Sequence, residues 1–365
     1  MPSSPDVRVW SAPGRVNLIG DHTDYNQGLA LPFALPLRTV VRARARTDQR
    51  IRARSVGRAD VVCEIPGRPG DVSGWGAYVA GVAWALAGAG VNVPGADLAV
   101  SSSVPVGAGV SSSHSLECAV ALALCDLAGV TLERTDLAHL IQRAENDYVG
   151  APTGLLDQMA LLHSVREHLS FFDARALAVE PVRADLDSHG LSLVLIDPHA
   201  PHRLVDGAYA DRRHHCEEAA RQLGVSSLRE VTDAAELAEL EDVVTRMRAR
   251  YVLGENARVL RVVDLLRAGR PAEIGPVLTE SHLAARTDFE NTVPEVDLAV
   301  SASVAGGALG ARMTGGGFGG AVIALVETDR VQEVETEVTR AFGRAQNRAP
   351  SFLTVSPDRG AGAGD

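Results

Sequence analysis

No lysine occurs anywhere in the 365 residues, so the basic count of 35 is arginine throughout. That one absence removes several chemistries together. Walker-type nucleotide loops, Schiff-base catalysis and the protein-kinase site each depend on a lysine at a set place. Cysteine is scarce: Cys63, Cys118, Cys125 and Cys216 show no C-x-x-C spacing. They are expected to be free thiols in a reducing cytoplasm rather than a disulfide framework or a thiolate metal site. Aromatic residues make up 4% of the chain. Positive charge is in deficit, and the formal net charge of −11 argues against broad binding to nucleic acid or anionic membrane. A local anion site is still open to the chain, because helix N-termini and single arginines act at short range. Long apolar runs are missing too. The longest, about residues 75–91, is rich in Ala and Gly and too short to span a bilayer. The opening MPSSPDVRVWSAPGR has no apolar signal region. The expectation is a cytoplasmic protein with small-molecule partners and neither nucleic acid nor membrane among them.

What the chain does have is enough apolar residue, 46%, for sizeable cores in two domains or one large one. Residues 29–54 are rich in Val and Arg with partial period-two alternation, which predicts strands. Residues 74–91 predict a helix ended by Gly88 and Gly90, and 96–106 a strand. Residues 112–129 predict a helix apolar on nearly every side and therefore buried. Residues 135–149 predict another, capped at Thr135 or Asp136. Residues 191–198 predict a buried strand. From Ala208 to Arg270 the pattern is helical and charged. Residues 310–327 predict a glycine turn followed by a strand, then come a helix and a closing strand, and the terminal GAGAGD is expected to fray. The soft boundary falls near 180–190.

Four stretches carry polar groups in unusual company. VPVGAGVSSSHSLE (104–117) is a Gly/Ala turn and a serine cluster opening a helix. Such a turn aims several backbone N–H groups at an anion without any cationic side chain. Gly107 and Gly109 permit close approach, and serine hydroxyls can reach phosphate or Mg²⁺. Read alone, Ser111, Ser112 and Ser113 could equally cap a buried helix. SAPGRVNLIGDHTDYNQG (11–28) gathers Arg15, Asp21, His22, Asp24 and Tyr25, a density that suits a polyhydroxylated ligand or, more plainly, a solvated turn. ENDYVGAPTGLLDQMA (145–160) puts Glu145 late in a helical pattern and Asp157 just after a turn, where a cap would be ordinary. MTGGGFGG (313–320) has glycines where backbone must pass close to something.

Taken together, over nearly the whole chain, these stretches resemble the galactokinases, of the superfamily that also contains homoserine, mevalonate and phosphomevalonate kinases. PGRVNLIGDHTDYNQG resembles the galactokinase signature, VPVGAGVSSSHSLE the superfamily's ATP loop, and ENDYVGAPTGLLDQ the segment with the catalytic Asp. The resemblance implies an α+β fold of two domains, 1–185 and 186–365, with the active site in the cleft between them. The first domain would contain a left-handed βαβ crossover, against the general right-handed rule, and the second would be ferredoxin-like. It implies an ATP-dependent kinase of the anomeric hydroxyl of α-D-galactose, with Mg²⁺, acting as a monomer. Asp157 and Arg15 would be catalytic. Asp21, His22, Asp24 and Tyr209 would bind the sugar. Gly107, Gly109, Ser111, Ser112, Ser113 and Trp75 would bind ATP, and Ser113 and Glu145 would hold Mg²⁺.

Two positions depart from the family pattern. Asp21 stands where Glu is usual, and His114 where a small residue follows the three serines. Asp21 leaves open a related hexose, uronic acid or cyclitol as substrate. His114 leaves open a sugar and ATP sensor without turnover.

Overall fold

The computed structural model describes residues 7–151, 153–200 and 207–364. The chain begins with β1 (Arg8–Asn17), a short turn of helix at Asp24–Asn26, and β2 (Leu29–Ala30), β3 (Pro32–Ala45), β4 (Arg50–Ser55) and β5 (Val61–Glu64). The expected alternation is visible here. Val41, Ala43, Ile51 and Ala53 are buried while Arg42, Arg44, Arg52 and Arg54 are exposed, as a half-buried sheet requires. Helix α1 (Trp75–Gly88) leads to β6 (Ala96–Ser102), which ends before the Val-Pro-Val that the sequence pattern had included. Helix α2 (Ser112–Leu127) is buried on most sides, as its composition predicts. Helix α3 (Arg134–Arg143) starts two or three residues earlier than Thr135 or Asp136 would set it, with Glu133 at the cap position. It then widens into a π-helical turn over Ala144–Val149. Helix α4 (Leu156–His163) and the hairpin β7 (His168–Asp173) and β8 (Ala178–Arg183) complete this part.

The main sheet of this unit runs β5-β4-β6-β3-β1, with β4 and β6 parallel and the other pairs antiparallel. Helices α1 and α2 pack with it into one hydrophobic core. β1 carries an irregularity between Pro13 and Arg15, and such a bulge re-aims the side chain that follows it. Gly14 is obligatory there, since a Cβ would sit 2.9 Å from both Val104 Cγ1 and the Val110 carbonyl.

The second unit contains β9 (Leu191–Asp197), α5 (Ala208–Gln222), α6 (Val243–Arg267), α7 (Ile274–Ala284), α8 (Pro294–Ala305), β10 (Gly310–Thr314), β11 (Ala321–Glu327), α9 (Val331–Arg344) and β12 (Ser351–Val355). Its sheet is antiparallel in the order β10-β11-β9-β12. That is the ferredoxin-like order, with four helices in place of one in the first connection. Residues 310–314 were expected to belong to a glycine turn. They form a fully buried strand instead, and the glycines make the hairpin to β11.

Residues 362–364 of the closing run are paired rather than frayed. β13 (Gly362–Ala363) returns to the first sheet and pairs with Trp10 and Ser11. The Gly364 N–H donates to the Val9 carbonyl at 2.8 Å. Unpaired strand edges seek partners, and the β1 edge finds one in the chain's own end.

Candidate functional site

The two units meet at a cavity of about 230 Å³ lined by Arg15, Asp21, His22, Asp24, Thr153, Gly154, Leu156, Asp157, Tyr209, Gly315 and Gly316. The volume lies below the range usual for drug-sized ligands, roughly 300–1,000 Å³, and suits a single small ring. Six of the thirteen residues singled out from the sequence line it: Arg15, Asp21, His22, Asp24, Asp157 and Tyr209.

Arg15 leaves β1 just after the bulge and forks onto Asp157. Its Nε–H donates to Oδ1 at 2.6 Å and an Nη2–H to Oδ2 at 2.7 Å. The remaining arm donates to the Gly109 carbonyl at 2.7 Å, so one guanidinium joins the carboxylate to the glycine loop. Ser111 donates its hydroxyl to Asp157 Oδ2 at 2.5 Å. Burial works against the charge of Asp157, but Arg15, His114 and the Ser111 hydroxyl outweigh it and hold the carboxyl at about 2. The folded pKa is thus below the unfolded one. The stability this group contributes is complete above about pH 4 and is lost as pH falls through about 2. The difference in melting temperature between wild type and Asp157→Asn is therefore expected to stay level from pH 5 to 8 and to shrink below pH 4. A difference that shrinks between pH 5 and 7 would contradict the low folded pKa.

The loop has the geometry of an anion nest. Gly107, Gly109 and Ser111 all have positive φ, at 82°, 72° and 58°, and α2 starts at Ser112. Alternating left-handed residues turn successive N–H groups to one side. The second glycine run packs against it: a Cβ on Gly109 would lie 3.5 Å from Gly320 Cα. Ser112 and Ser113 are partly exposed in the first turn of the helix. Trp75 begins α1, with its indole N–H donating to the Ala59 carbonyl at 2.9 Å.

Asp24 lies in the short helical turn after the signature's Gly-Asp-His-Thr. Burial pushes its pKa up, and the charge of Asp157 adds to the effect. A Cβ built on Gly154 would stand 1.7 Å from Asp24 Oδ2, so only glycine lets that carboxylate reach the cavity. Gly154→Ala is expected to raise KM for the ligand of this cavity by about 10- to 100-fold, because displacements near 1 Å cost that much. Unchanged steady-state constants would remove Asp24 from the binding set.

His22 is buried and its pKa is lowered to about 4, chiefly by burial, so the ring is neutral. A carbonyl can only accept, so Nε2–H donates to Gly316 O at 2.9 Å, and Nδ1 accepts from the Tyr25 hydroxyl at 2.9 Å. Both nitrogens are thus engaged within the protein, and the ring serves as a wall. It sits 5.0 Å from the Tyr209 ring and 4.6 Å from Phe289. Several of the chain's few aromatics are concentrated at this wall.

Asp21 is held from three directions. Arg312 pairs with Oδ2 at 2.7 Å, and Oδ1 accepts from Asn17 Nδ2 at 2.9 Å and from the Gly315 N–H at 3.1 Å. Arg312 is fully buried and also faces Glu255 at 3.5 Å. Glu255 accepts in turn from the Gly20 N–H at 3.0 Å and from Ser281. Sequence reading missed Arg312 and Glu255. The signal available was one arginine in the apolar and glycine run GARMTGGG, and one acid in the helical run YVLGENARV.

Glu145 sits in the π-helical turn, a feature that recurs at functional sites. Its Oε2 accepts from the Thr153 hydroxyl at 2.8 Å and lies 2.6 Å from His114 Nε2. His114 Nδ1 is 3.2 Å from Asp157 Oδ2 and 3.4 Å from Ser113 Oγ. Burial disfavours charge on His114, yet Glu145 and Asp157 overcome it and hold the imidazole up at about 9. His114 therefore turns inward to bridge two carboxylates.

Comparisons with known proteins place the whole chain among characterised relatives. The family model for the galactokinase galactose-binding signature matches residues 2–45, that for the GHMP kinases N terminal domain residues 77–164, and that for the GHMP kinases C terminal residues 262–345. The chain is 50% identical over 336 residues to a galactokinase of Mycobacterium bovis, covering 91% of this chain and 92% of that one. To a galactokinase of Streptomyces coelicolor it is 45% identical over 367 residues, covering 97% and 93%. Among solved structures, the galactokinase of Lactococcus lactis complexed with galactose superposes with a TM-score of 0.93 at 30% identity, over 99% of this chain and 96% of that one.

Proposed function

Because the chain belongs to the galactokinase family of the GHMP kinases, we propose that Asp157 and Arg15 carry the transfer of a phosphoryl group from ATP to galactose. The enzyme is an ATP-dependent kinase that converts α-D-galactose to α-D-galactose 1-phosphate. The observation that carries the assignment of roles is the forked Arg15–Asp157 pair. It stands with one arm on the glycine loop and its carboxylate at the cavity that Asp21, His22, Asp24 and Tyr209 also line.

In this reading the sugar's anomeric hydroxyl lies against Asp157. The carboxylate orients it and takes its proton as the bond to phosphorus forms. A carboxyl held near 2 is a weak base but is charged at every working pH. A weak base suffices because phosphoryl transfer runs through a loose transition state and depends mainly on position and electrostatics. Arg15 keeps Asp157 ionised and offsets charge on the transferring group. The backbone N–H groups around Gly107, Gly109 and Ser111–Ser113 receive the phosphates, which is why no lysine is needed. Trp75, at the start of α1, is assigned to the adenine side.

Ser113 and Glu145 would supply hard oxygen donors of the kind that Mg²⁺ requires. Mg²⁺ there would neutralise phosphate charge. Glu145 fits the part chemically, being 3% exposed and fixed by Thr153. The boundary between catalytic halves is assigned near residue 185. No helix among the described residues is long and apolar enough to cross a membrane. A monomeric enzyme in the cytoplasm completes the proposal.

The test is Mg²⁺-dependent ADP release against D-galactose, 2-deoxygalactose, D-fucose, galacturonate, glucose, N-acetylgalactosamine and a cyclitol. Turnover is expected with galactose foremost. Turnover only with a compound altered at the far end of the ring would make Asp21 a determinant of another substrate. Binding of ATP and galactose without ADP release would overturn the assignment.

A further inference from the structure

We propose that His114, Glu117 and Glu145 form a binding site for a zinc-class divalent ion, with a donor set different from that assigned to the magnesium of ATP. Each residue offers one ligand atom, and these atoms all lie within 4.8 Å of one another with all three residues buried. His114 and Glu117 are three apart on α2 and so share a face. Glu145 meets them from the π-helical turn.

Glu117 gives the independent observation. It is 0% exposed, and neither carboxyl oxygen has a hydrogen-bond partner among the described residues. A buried carboxyl in that state is costly, and a bound ion is among the few things that account for one. The surroundings also have the layout of a metal centre. A ligating histidine usually gives its other nitrogen to a carboxylate, which fixes the tautomer, and ligating carboxylates are themselves hydrogen-bonded. Here His114 Nε2 faces Glu145 while Nδ1 faces Asp157 at 3.2 Å, and Thr153 donates to Glu145 at 2.8 Å. The donor set decides the class of ion. An imidazole with two carboxylates matches zinc and its neighbours, whereas magnesium prefers oxygen alone.

Glu145 is common to this site and to the magnesium position proposed above. On that reading, zinc draws Glu145 away from Mg²⁺–ATP and inhibits turnover. The binding claim itself does not depend on it.

The experiment is calorimetric titration of Zn²⁺ into the full-length, nucleotide-free protein. One ion per chain is expected, with affinity at least about 10- to 100-fold weaker in both His114→Ala and Glu117→Gln. Melting curves without metal check that the variants fold. No stoichiometric binding, or binding equal to wild type in both variants, overturns the proposal. The second result would assign the ion to surface histidines such as His214 and His215. Zinc X-ray absorption on the wild type needs no variant. A shell of one nitrogen with oxygen donors at about 2.0–2.2 Å supports the site, and a sulfur-containing, nitrogen-free or two-imidazole shell overturns it. Magnesium-dependent turnover of Glu145→Gln separately tests the magnesium reading, so either idea can fail alone.

Discussion

Asp157→Asn is expected to bind galactose nearly as well as the wild type and to lose about 10²- to 10⁴-fold in kcat, the span usual for removal of a general base. The substitution keeps the shape of the side chain and removes its charge. Arg15 now presents two donors to a group with a single acceptor oxygen, so one arm of the fork at 2.6 and 2.7 Å faces an amide N–H. Ser111, which donates to Oδ2 at 2.5 Å, loses its acceptor or competes for the same oxygen. The other groups proposed to hold the sugar, Asp24, Tyr209 and the aromatic wall, line the same cavity and stay in place. The expected signature is therefore a fall in kcat with KM little changed. Calorimetry with galactose and a coupled ADP assay measure the two sides separately. Turnover within tenfold of wild type would remove Asp157 from the chemistry.

The second large effect is expected at Arg312. Its guanidinium is wholly buried and lies 2.7 Å from Asp21 and 3.5 Å from Glu255. Arg312→Met leaves two buried carboxylates without the cation that sits between them. Breaking such a pair costs about 3–5 kcal/mol, and the melting temperature should fall on the order of 10 °C. Glu255 retains Arg258 at 2.8 Å, so the larger share of the loss falls on Asp21. Asp21 lines the cavity, and KM for galactose should rise together with the loss of stability. Pairing Arg312→Met with Glu255→Met tests whether the groups act as one unit. The double variant should lose less than the sum of the single changes. A single variant with wild-type melting temperature and KM would contradict this account.

This triad also bears on the shorter acid at position 21. A carboxylate drawn back by one methylene could have been left loose in the cavity. Instead Arg312, Asn17 and the Gly315 N–H fix it, so its position is set by the second unit as much as by the signature segment.

What the chain says by itself follows from local physics. Period-two burial in 40–54, the apolar helix at 112–127 and the glycine turn before it depend on neighbours a few residues apart, and backbone geometry repeats at those spacings. The polar segments around Arg15, Asp24, Glu145 and Asp157 were visible too, but read alone they fitted a solvated turn or a cap as well, and their roles came only from the resemblance to the galactokinases. Tertiary structure alone decided the rest. The Gly20 N–H reaches Glu255 across 235 residues of sequence, and the Gly315 N–H reaches Asp21 across 294. No periodicity encodes contacts at such range. Likewise the closing strand on Trp10 and Ser11 came from an open sheet edge, not from any β-propensity in a glycine-rich end. His114 makes the same point. Its sequence position beside three serines left open a sensor without turnover, and only the structure shows the helix turning its imidazole inward between the carboxylates of Glu145 and Asp157.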